Sequence, residues 1–306
     1  MGTAAATRGG HPLTMVTRIK LSTALLYVAP AVLVVVAFYL YPIIFTVPVS
    51  FMRWDGVTRM TFTGLANFRI MFAGSEFMIA LRNTFLWIAA ATFVHTPLGL
   101  VIALLLHRKP RGWALLRTLF FLPNVLSAAS IALLWYFLLN PTIGPIDAFL
   151  RLIGAHGAAL AWLSLPGTAL VGDQTPFVLY IGFTMLIFLA QMTVIPREYY
   201  EASEIDGASP LQQDLYVTLP LIRRAAVINI LFNAAFCLKM IEYPLIMTSG
   251  GPGNATMTLS LYMYNAMTRA REFGLTMATG LITIVCGALL MGLVFGLQRL
   301  AERRWG

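Results

Sequence analysis

Residues 195–220 have the sequence IPREYYEASEIDGASPLQQDLYVTLP, a polar stretch between two apolar runs. Each run is long enough to cross a bilayer, which takes about 20 residues of helix. Acidic residues outnumber basic ones in the stretch and lie on two helix-like pieces that meet at Gly207: Glu198, Glu201, Glu204, Asp206 and Asp214. Pro196 can begin the first piece, and Ser209–Gln212 has a capping-box pattern that can begin the second. This acidic surface predicts docking of another protein; a solvated turn between spans is the alternative.

The composition of the whole chain is that of a membrane protein. Of its 306 residues, 59% are hydrophobic and only 11% are charged, and its mean hydropathy is +0.79. One soluble core cannot hold so many apolar side chains. We predict an all-α, polytopic membrane protein with six transmembrane helices, whose approximate windows are 22–48, 83–106, 113–139, 168–192, 225–248 and 275–298.

Lysine and arginine residues at the ends of these windows predict the orientation. The N-terminus, the 107–117 turn, the 195–224 connection and the C-terminus together hold thirteen of them, and the opposite connections hold seven. Basic flanks are retained in the cytoplasm, so both termini are expected inside. Residues 1–21 and 301–306 are then cytoplasmic tails, 22–300 form the six-helix transmembrane domain, and 195–220 are a cytoplasmic loop.

Other classes of function lack their usual residues. The net charge of +9 comes from the membrane flanks and not from a basic domain, so no nucleic acid is expected. Cys237 and Cys286 both lie inside predicted spans, and the four histidines have no metal-ligand spacing. There is no Gly-rich phosphate loop that ends in Lys-Ser or Lys-Thr. We expect no metal and no cofactor on this chain, and energy supplied by a partner or a gradient.

The spacing of residues in the 195–220 loop resembles that of a known family. Glu201-Ala202-Ser203, then Gly207, then Val217-Thr218-Leu219-Pro220 are similar to the EAA loop of ABC importer permeases. Ser203 replaces the usual third alanine, and Val217 replaces isoleucine. The wider pattern from Ile195-Pro196 onward resembles carbohydrate-uptake permeases, such as those of maltose and glycerol-3-phosphate systems. Segments 62–68 and 248–256 extend the resemblance to about residues 22–300.

The resemblance implies a type I ABC importer permease (MetI-like) fold in the bacterial cytoplasmic (inner) membrane. It implies as partners a second homologous permease, two ATPase subunits that bind ATP and Mg, an extracytoplasmic substrate-binding protein, and membrane lipid. In this family the loop fits a cleft on the ATPase, and no catalytic residue is expected in the permease. The residues expected to couple the two proteins are Glu201, Ala202, Ser203, Asp206, Gly207, Ala208, Leu219 and Pro220.

Polar side chains inside spans are costly, which makes them candidate pathway residues. Asn229, Asn233 and Cys237 share one face of the fifth predicted helix. Lys239 and Glu242 are three residues apart and can pair. Alternatively, Lys239 extends to the outer interface and Asn233 bonds a neighbouring helix.

An ungapped alignment from the loop implies where a solute would pass. The sugar-contacting positions of the maltose-system permease fall on Leu179, Tyr180, Phe183, Asn233, Ala234, Cys237 and Met240. Only Asn233 and Tyr180 can readily hydrogen-bond a sugar there, so maltose itself is not supported. The predicted pathway also includes the charged residues Lys239 and Glu242. It consists of Tyr180, Phe183, Asn233, Cys237, Lys239, Met240 and Glu242.

The leading hypothesis is a permease that moves a sugar or sugar-like solute by alternating access. Lys239 leaves open glycerol-3-phosphate or another polyol phosphate as the solute. A gradient-driven secondary transporter is the alternative from another class. It is disfavoured because the six spans show no evident inverted repeat and because ion coupling does not need an acidic loop.

Overall fold

The computed structural model describes residues 21–154 and 161–305. The chain divides into two compact units, residues 1–45 and residues 46–306. In the first unit, α1 (Leu21–Val35) and a π-helical turn (Val36–Leu40) lead into α2 (Tyr41–Ser50), which continues into the second unit. The predicted N-terminal tail lies, except for its last residue, outside the described residues.

The larger unit is built from helices and one short hairpin, in which Met52 pairs with Phe62 and Arg53 with Thr61. Its strands and α-helices are β1 (Met52–Arg53), β2 (Thr61–Phe62), α3 (Ala66–Ala73), α4 (Ser75–Ala90), α5 (Thr96–His107), α6 (Trp113–Phe121), α7 (Ala128–Leu138), α8 (Pro145–Leu152), α9 (Ala169–Leu179), α10 (Gly182–Met192), α11 (Arg197–Ile205), α12 (Pro210–Gln213), α13 (Leu219–Leu221), α14 (Arg223–Lys239), α15 (Leu259–Thr268) and α16 (Phe273–Trp305). The described residues of this unit also include a 3-10 turn (Leu122–Val125) and three further π-helical turns (Ala91–His95, Asp214–Thr218 and Pro244–Thr248).

The predicted all-α fold is confirmed. Five helical segments of the described chain are long and apolar enough to cross a membrane: Leu26–Ser50, Ser75–His107, Ala169–Met192, Arg223–Thr248 and Phe273–Leu300. The second begins at Ser75 rather than at residue 83, and α16 continues to Trp305, through the expected C-terminal tail. The inward orientation of both termini remains a prediction.

The third predicted window, 113–139, is not one straight helix. Trp113–Val125 and Ala128–Leu138 pass the span criterion only as a pair, and they are bent by 100°. Pro123 lies in the 3-10 turn where the first part ends. Ser127 then has an extended backbone, and its hydroxyl accepts a hydrogen bond from the Ser130 N–H at 3.1 Å, which caps α7. An average of hydropathy over the window shows neither the turn at Pro123 nor the cap at Ser127.

Three of the π-helical turns precede a proline by the same spacing. The turns that end at Leu40, His95 and Thr218 are each followed two residues later by proline, at Pro42, Pro97 and Pro220. A proline ring clashes with the carbonyl of the fourth residue before it and donates no N–H. The wider π turn accommodates that ring without ending the helix.

The core lies where the long helices meet. Trp87 of α4 stacks on Tyr243 at a centroid distance of 6.0 Å and contacts Phe177 of α9 at 5.7 Å. Helix α5 packs closely on α10, because a Cβ atom at Gly99 would lie 2.5 Å from the Thr184 methyl carbon. These contacts pack α4 against α9 and Tyr243, and the first turns of α5 and α10 against each other.

Candidate functional site

The loop predicted for coupling folds as two short helical pieces. Helix α11 begins after Pro196, which is its N-cap residue rather than its first helical residue. Arg197 and Glu201, four residues apart, form an exposed ion pair with 3.0 Å between Nε and Oε1. The predicted capping box is present at the start of α12: the Ser209 N–H donates to Gln212 Oε1 at 2.7 Å, and the Gln212 N–H donates to Ser209 Oγ at 3.4 Å.

Gly207 ends α11 in a left-handed conformation. Its φ is +75°, which glycine adopts without steric cost. The Ala208 N–H donates to the Ser203 carbonyl at 2.9 Å, and the Gly207 N–H donates to the Glu204 carbonyl at 3.0 Å. These two bonds form a Schellman motif. The glycine therefore sets the angle between the two pieces of the loop.

Two contacts join the loop to the ends of the long helices. Arg108, just after α5, forms an ion pair with Asp214 and donates to the Pro210 carbonyl at 2.9 Å. The Tyr200 hydroxyl lies 3.0 Å from the Thr218 hydroxyl, which is fully buried. These contacts connect the loop to the end of α5 and to the segment that leads into α14.

The outer surface of the loop is exposed and partly apolar. Exposed fractions are 87% for Ile205, 65% for Leu211 and 76% for Tyr216. Five predicted coupling residues are exposed: Glu201, Ala202, Asp206, Gly207 and Pro220. The other three are half-buried: Ser203, Ala208 and Leu219.

The predicted pathway residues do not form one cluster. Cys237 and Met240 are each 1% exposed and belong to the apolar core around Trp87. Phe183 is 48% exposed and meets Phe232 edge-on at 6.1 Å. Tyr180 is half-buried at the break between α9 and α10.

The predicted Lys239–Glu242 ion pair is absent from the part of the chain that the structure describes. The spacing of three residues brings side chains together only on a continuous helix. Helix α14 ends at Lys239, and Met240 is extended, with φ −62° and ψ 119°. Lys239 is exposed, and Glu242 accepts a hydrogen bond from the Ile241 N–H at 3.4 Å.

Asn233 bonds neighbouring helices, as the alternative interpretation expected. Its amide donates to the Thr96 hydroxyl at 3.0 Å and to the Thr184 hydroxyl at 3.3 Å. Thr184 in turn lies 3.0 Å from His95 Nε2, and His95 Nδ1 lies 3.0 Å from the Phe177 carbonyl. We call these four side chains (His95, Thr96, Thr184 and Asn233) the buried polar network. All four are less than 9% exposed.

A neutral imidazole satisfies the buried polar network. The Phe177 carbonyl can only accept, so Nδ1 of His95 carries the proton and Nε2 accepts from the Thr184 hydroxyl. Thr184 can then accept from Asn233, and the Thr96 hydroxyl donates to the Ala91 carbonyl at 2.8 Å. The network therefore joins α5, α9, α10 and α14 at one level of the bundle.

Sequence reasoning missed three members of the network. His95 had no ligand spacing, and Thr96 and Thr184 are single polar residues in apolar runs. The only sequence signal was their polarity inside predicted spans. Asn229, one turn from Asn233, is 1% exposed, and its side-chain nitrogen and oxygen have no hydrogen-bond partner among the described residues.

A bundle of apolar helices with a structured polar loop at one end is the architecture of a transport permease. The chain belongs to the family of binding-protein-dependent transport system inner membrane components, whose model matches residues 95–306. The resemblance to ABC importer permeases is therefore confirmed, and this family membership favours that class over gradient-driven carriers.

Curated relatives agree with the family. The chain is 32% identical over 266 residues to the probable ABC transporter permease protein YurN of Bacillus subtilis, with 85% of this chain and 90% of the relative covered. It is 30% identical over 269 residues to the probable starch degradation products transport system permease protein AmyD of Thermoanaerobacterium thermosulfurigenes, with 87% and 90% covered.

A solved structure shares the fold. One chain of a bacterial alginate ABC transporter, in complex with an alginate pentasaccharide-bound periplasmic protein, matches with a TM-score of 0.79 and 20% identity. The match covers 92% of this chain and 96% of that one. The predicted ABC importer permease fold is confirmed.

Proposed function

We propose that this chain is one transmembrane subunit of a bacterial importer that moves a sugar or sugar-like solute across the inner membrane by alternating access. A second homologous permease, two ATPase subunits that hold ATP and Mg, and an extracytoplasmic binding protein complete the importer. The chain itself is a transport subunit and not an enzyme. The starch-product permease and the alginate transporter among the similar proteins support a carbohydrate solute.

The observation that carries the coupling proposal is the exposed apolar surface of the 195–220 loop. Ile205, Leu211 and Tyr216 are all more than 60% exposed, although they lie outside the candidate spans. Several exposed apolar side chains on one short polar segment favour a protein interface. Glu201 and Asp206 beside them supply a polar rim of the kind that interfaces have.

The contacts of the loop suggest how docking would move the spans. The ATPase would hold α11 and α12 in its cleft, with Gly207 at the bend between them. Arg108 links the loop to α5 through Asp214, and Thr218 links α11 to the segment before α14. The buried polar network ties α5 and α14 together further along the same helices. These helices would therefore rotate together when the ATPase pair closes.

A polyol phosphate is a second candidate solute, and one observation favours it. Lys239 is exposed and forms no ion pair within the described residues. A free ammonium group beside the end of α14 would attract an anionic solute. Lys239→Gln should then raise the KM for a phosphate ester with little effect on a neutral sugar, measured by uptake in proteoliposomes. Equal effects on both solutes would count against this candidate.

A matched pair of glycine substitutions tests the coupling proposal. Gly207 and Gly112 have φ values of +75° and +80°, and neither has an atom within 4 Å of an added Cβ. Both are predicted to face the cytoplasm, but only Gly207 belongs to the loop. Tryptophan therefore strains the backbone equally at both sites, by about 1–2 kcal/mol.

The expected result separates docking from folding. Gly207→Trp should insert into the membrane but lose co-purifying ATPase and ATP-driven uptake, whereas Gly112→Trp should keep both. Membrane insertion is measured by fractionation, and coupling by ATPase activity of the purified complex. Normal uptake in the Gly207 variant, or the same loss in both variants, would contradict the proposed role of the loop.

A further inference from the structure

A cavity of about 420 Å³ lies where α10 ends and α14 begins. Its lining residues are Gln191, Pro220, Leu221, Arg223 and Arg224. Both arginines are exposed, and within the described residues neither lies within 4.0 Å of a carboxylate. The nearby loop acids Asp214 and Glu201 are paired with Arg108 and Arg197 instead. The cavity therefore holds two positive charges without a counter-ion among the residues that the structure describes.

The cavity lies at the boundary of the membrane. The candidate span Ala169–Met192 ends here and the span Arg223–Thr248 begins here, so the phospholipid headgroups are at this level. Arg223 is the first residue of the 17-residue helix α14, whose N-terminal dipole adds positive potential. Leu221 is 43% exposed, so an apolar wall lies beside the two charges. Positive charge beside an apolar wall fits a group that is anionic at one end and apolar at the other.

We propose that this cavity binds the phosphodiester headgroup of an anionic phospholipid, of which phosphatidylglycerol is the simplest. A guanidinium group can bind a phosphate with two parallel hydrogen bonds, and Arg223 and Arg224 offer two such groups. Gln191 adds an amide donor, and Pro220 and Leu221 contact the glycerol and the first acyl carbons. Basic pockets between helix ends on the cytoplasmic side commonly hold such headgroups.

A bound lipid would act on the coupling path. Pro220 and Leu221 belong to α13, which joins the loop to α14 through a single residue, the buried Ile222. A headgroup bound by residues on both sides of Ile222 would make this junction more rigid. More of the movement of the loop would then be transmitted to α14. This regulatory role rests on the proposed function, but binding of the lipid itself does not.

Lipid binding is measured on the full chain by native mass spectrometry after exchange into phosphatidylglycerol or phosphatidylcholine. The test variant is Arg223→Gln/Arg224→Gln. The control is Arg117→Gln, which removes an exposed arginine of α6 that does not line this cavity. With about 1 kcal/mol per arginine, the double variant should bind phosphatidylglycerol about thirtyfold more weakly, and the control should be unchanged. Equal retention of the two lipids by the wild type, or unchanged binding in the double variant, would overturn the proposal.

Two further measurements exclude other sources of the anion. Inorganic phosphate at millimolar concentration should not displace the lipid; displacement would mean a general phosphate site and would overturn the proposal. If the double variant kept its lipid but lost co-purifying ATPase, the arginines would serve the ATPase and the proposal would fail. If the proposed function were wrong, the result would be different: the wild type would show no coupling to an ATPase in any lipid.

Discussion

The substitution Thr184→Val tests the buried polar network. Thr184 is 1% exposed, and its hydroxyl donates to His95 Nε2 and accepts from Asn233. Valine keeps the two branches of the side chain, including the methyl group that packs close to Gly99. The change therefore removes two hydrogen bonds with little loss of packing.

The expected loss of stability is the sum of two effects. Hydrogen bonds between membrane helices contribute about 0.6 kcal/mol each on average. His95 Nε2 would also be left buried without a donor, which costs about 1–3 kcal/mol. Thr184→Val should therefore lower the free energy of unfolding by about 2–4 kcal/mol. The assay is reversible unfolding in mixed micelles by increasing SDS.

A neighbouring threonine supplies the control. Thr175 in α9 donates only to the Val171 carbonyl of its own helix, at 2.8 Å, so Thr175→Val should change stability by less than about 0.5 kcal/mol. His95→Phe removes the unpaired nitrogen, so adding it to Thr184→Val should cost less than the sum of the two single changes. Equal effects of the two valine substitutions, or strict additivity in the double variant, would refute the network.

Two further predictions concern segments outside the spans. Ser209→Ala removes the cap of α12. Because the Gln212 N–H lies 3.4 Å from the hydroxyl, the expected loss of helix stability is about 1 kcal/mol or less. Amide exchange at Gln212 should accelerate up to about fivefold, and an unchanged rate would mean that the cap is not formed. The N–H groups of Thr58 and Val57 lower the pKa of Asp55 from 3.8 to about 2. Because the folded-state pKa is the lower one, the stability advantage of Asp55 over Asp55→Ala should be complete well above pH 3.8 and be lost progressively as the pH falls through 3.8 towards 2. Melting temperatures of the two proteins across this range check it, and a difference that does not change with pH would contradict it.

The fold of the 195–220 loop could be predicted from the sequence because it depends on local contacts. The capping box joins residues three apart, and the turn at Gly207 joins residues three and five apart. Such contacts need only the identities of nearby residues. The spacing of the loop also identified the family.

The buried polar network could not be predicted in the same way. His95 and Thr184 are 89 residues apart, so their contact depends on how two apolar helices are rotated against each other. The sequence of a helix that is apolar on all faces does not show which face contacts a neighbour. The prediction of a Lys239–Glu242 pair required a continuous helix, but α14 ends at Lys239. The sequence does contain signals for the bend, namely Pro123 and then Ser127, which caps the next helix. A hydropathy average over the whole window does not detect them.

The central claim is that ATP hydrolysis by a partner drives uptake through this chain. The direct test is solute uptake into proteoliposomes that contain the complete importer, with the liganded binding protein outside. Uptake should require ATP, stop when hydrolysis is blocked, and continue when proton and sodium gradients are removed. Uptake that persisted without hydrolysis and stopped when the gradients were removed would contradict the account.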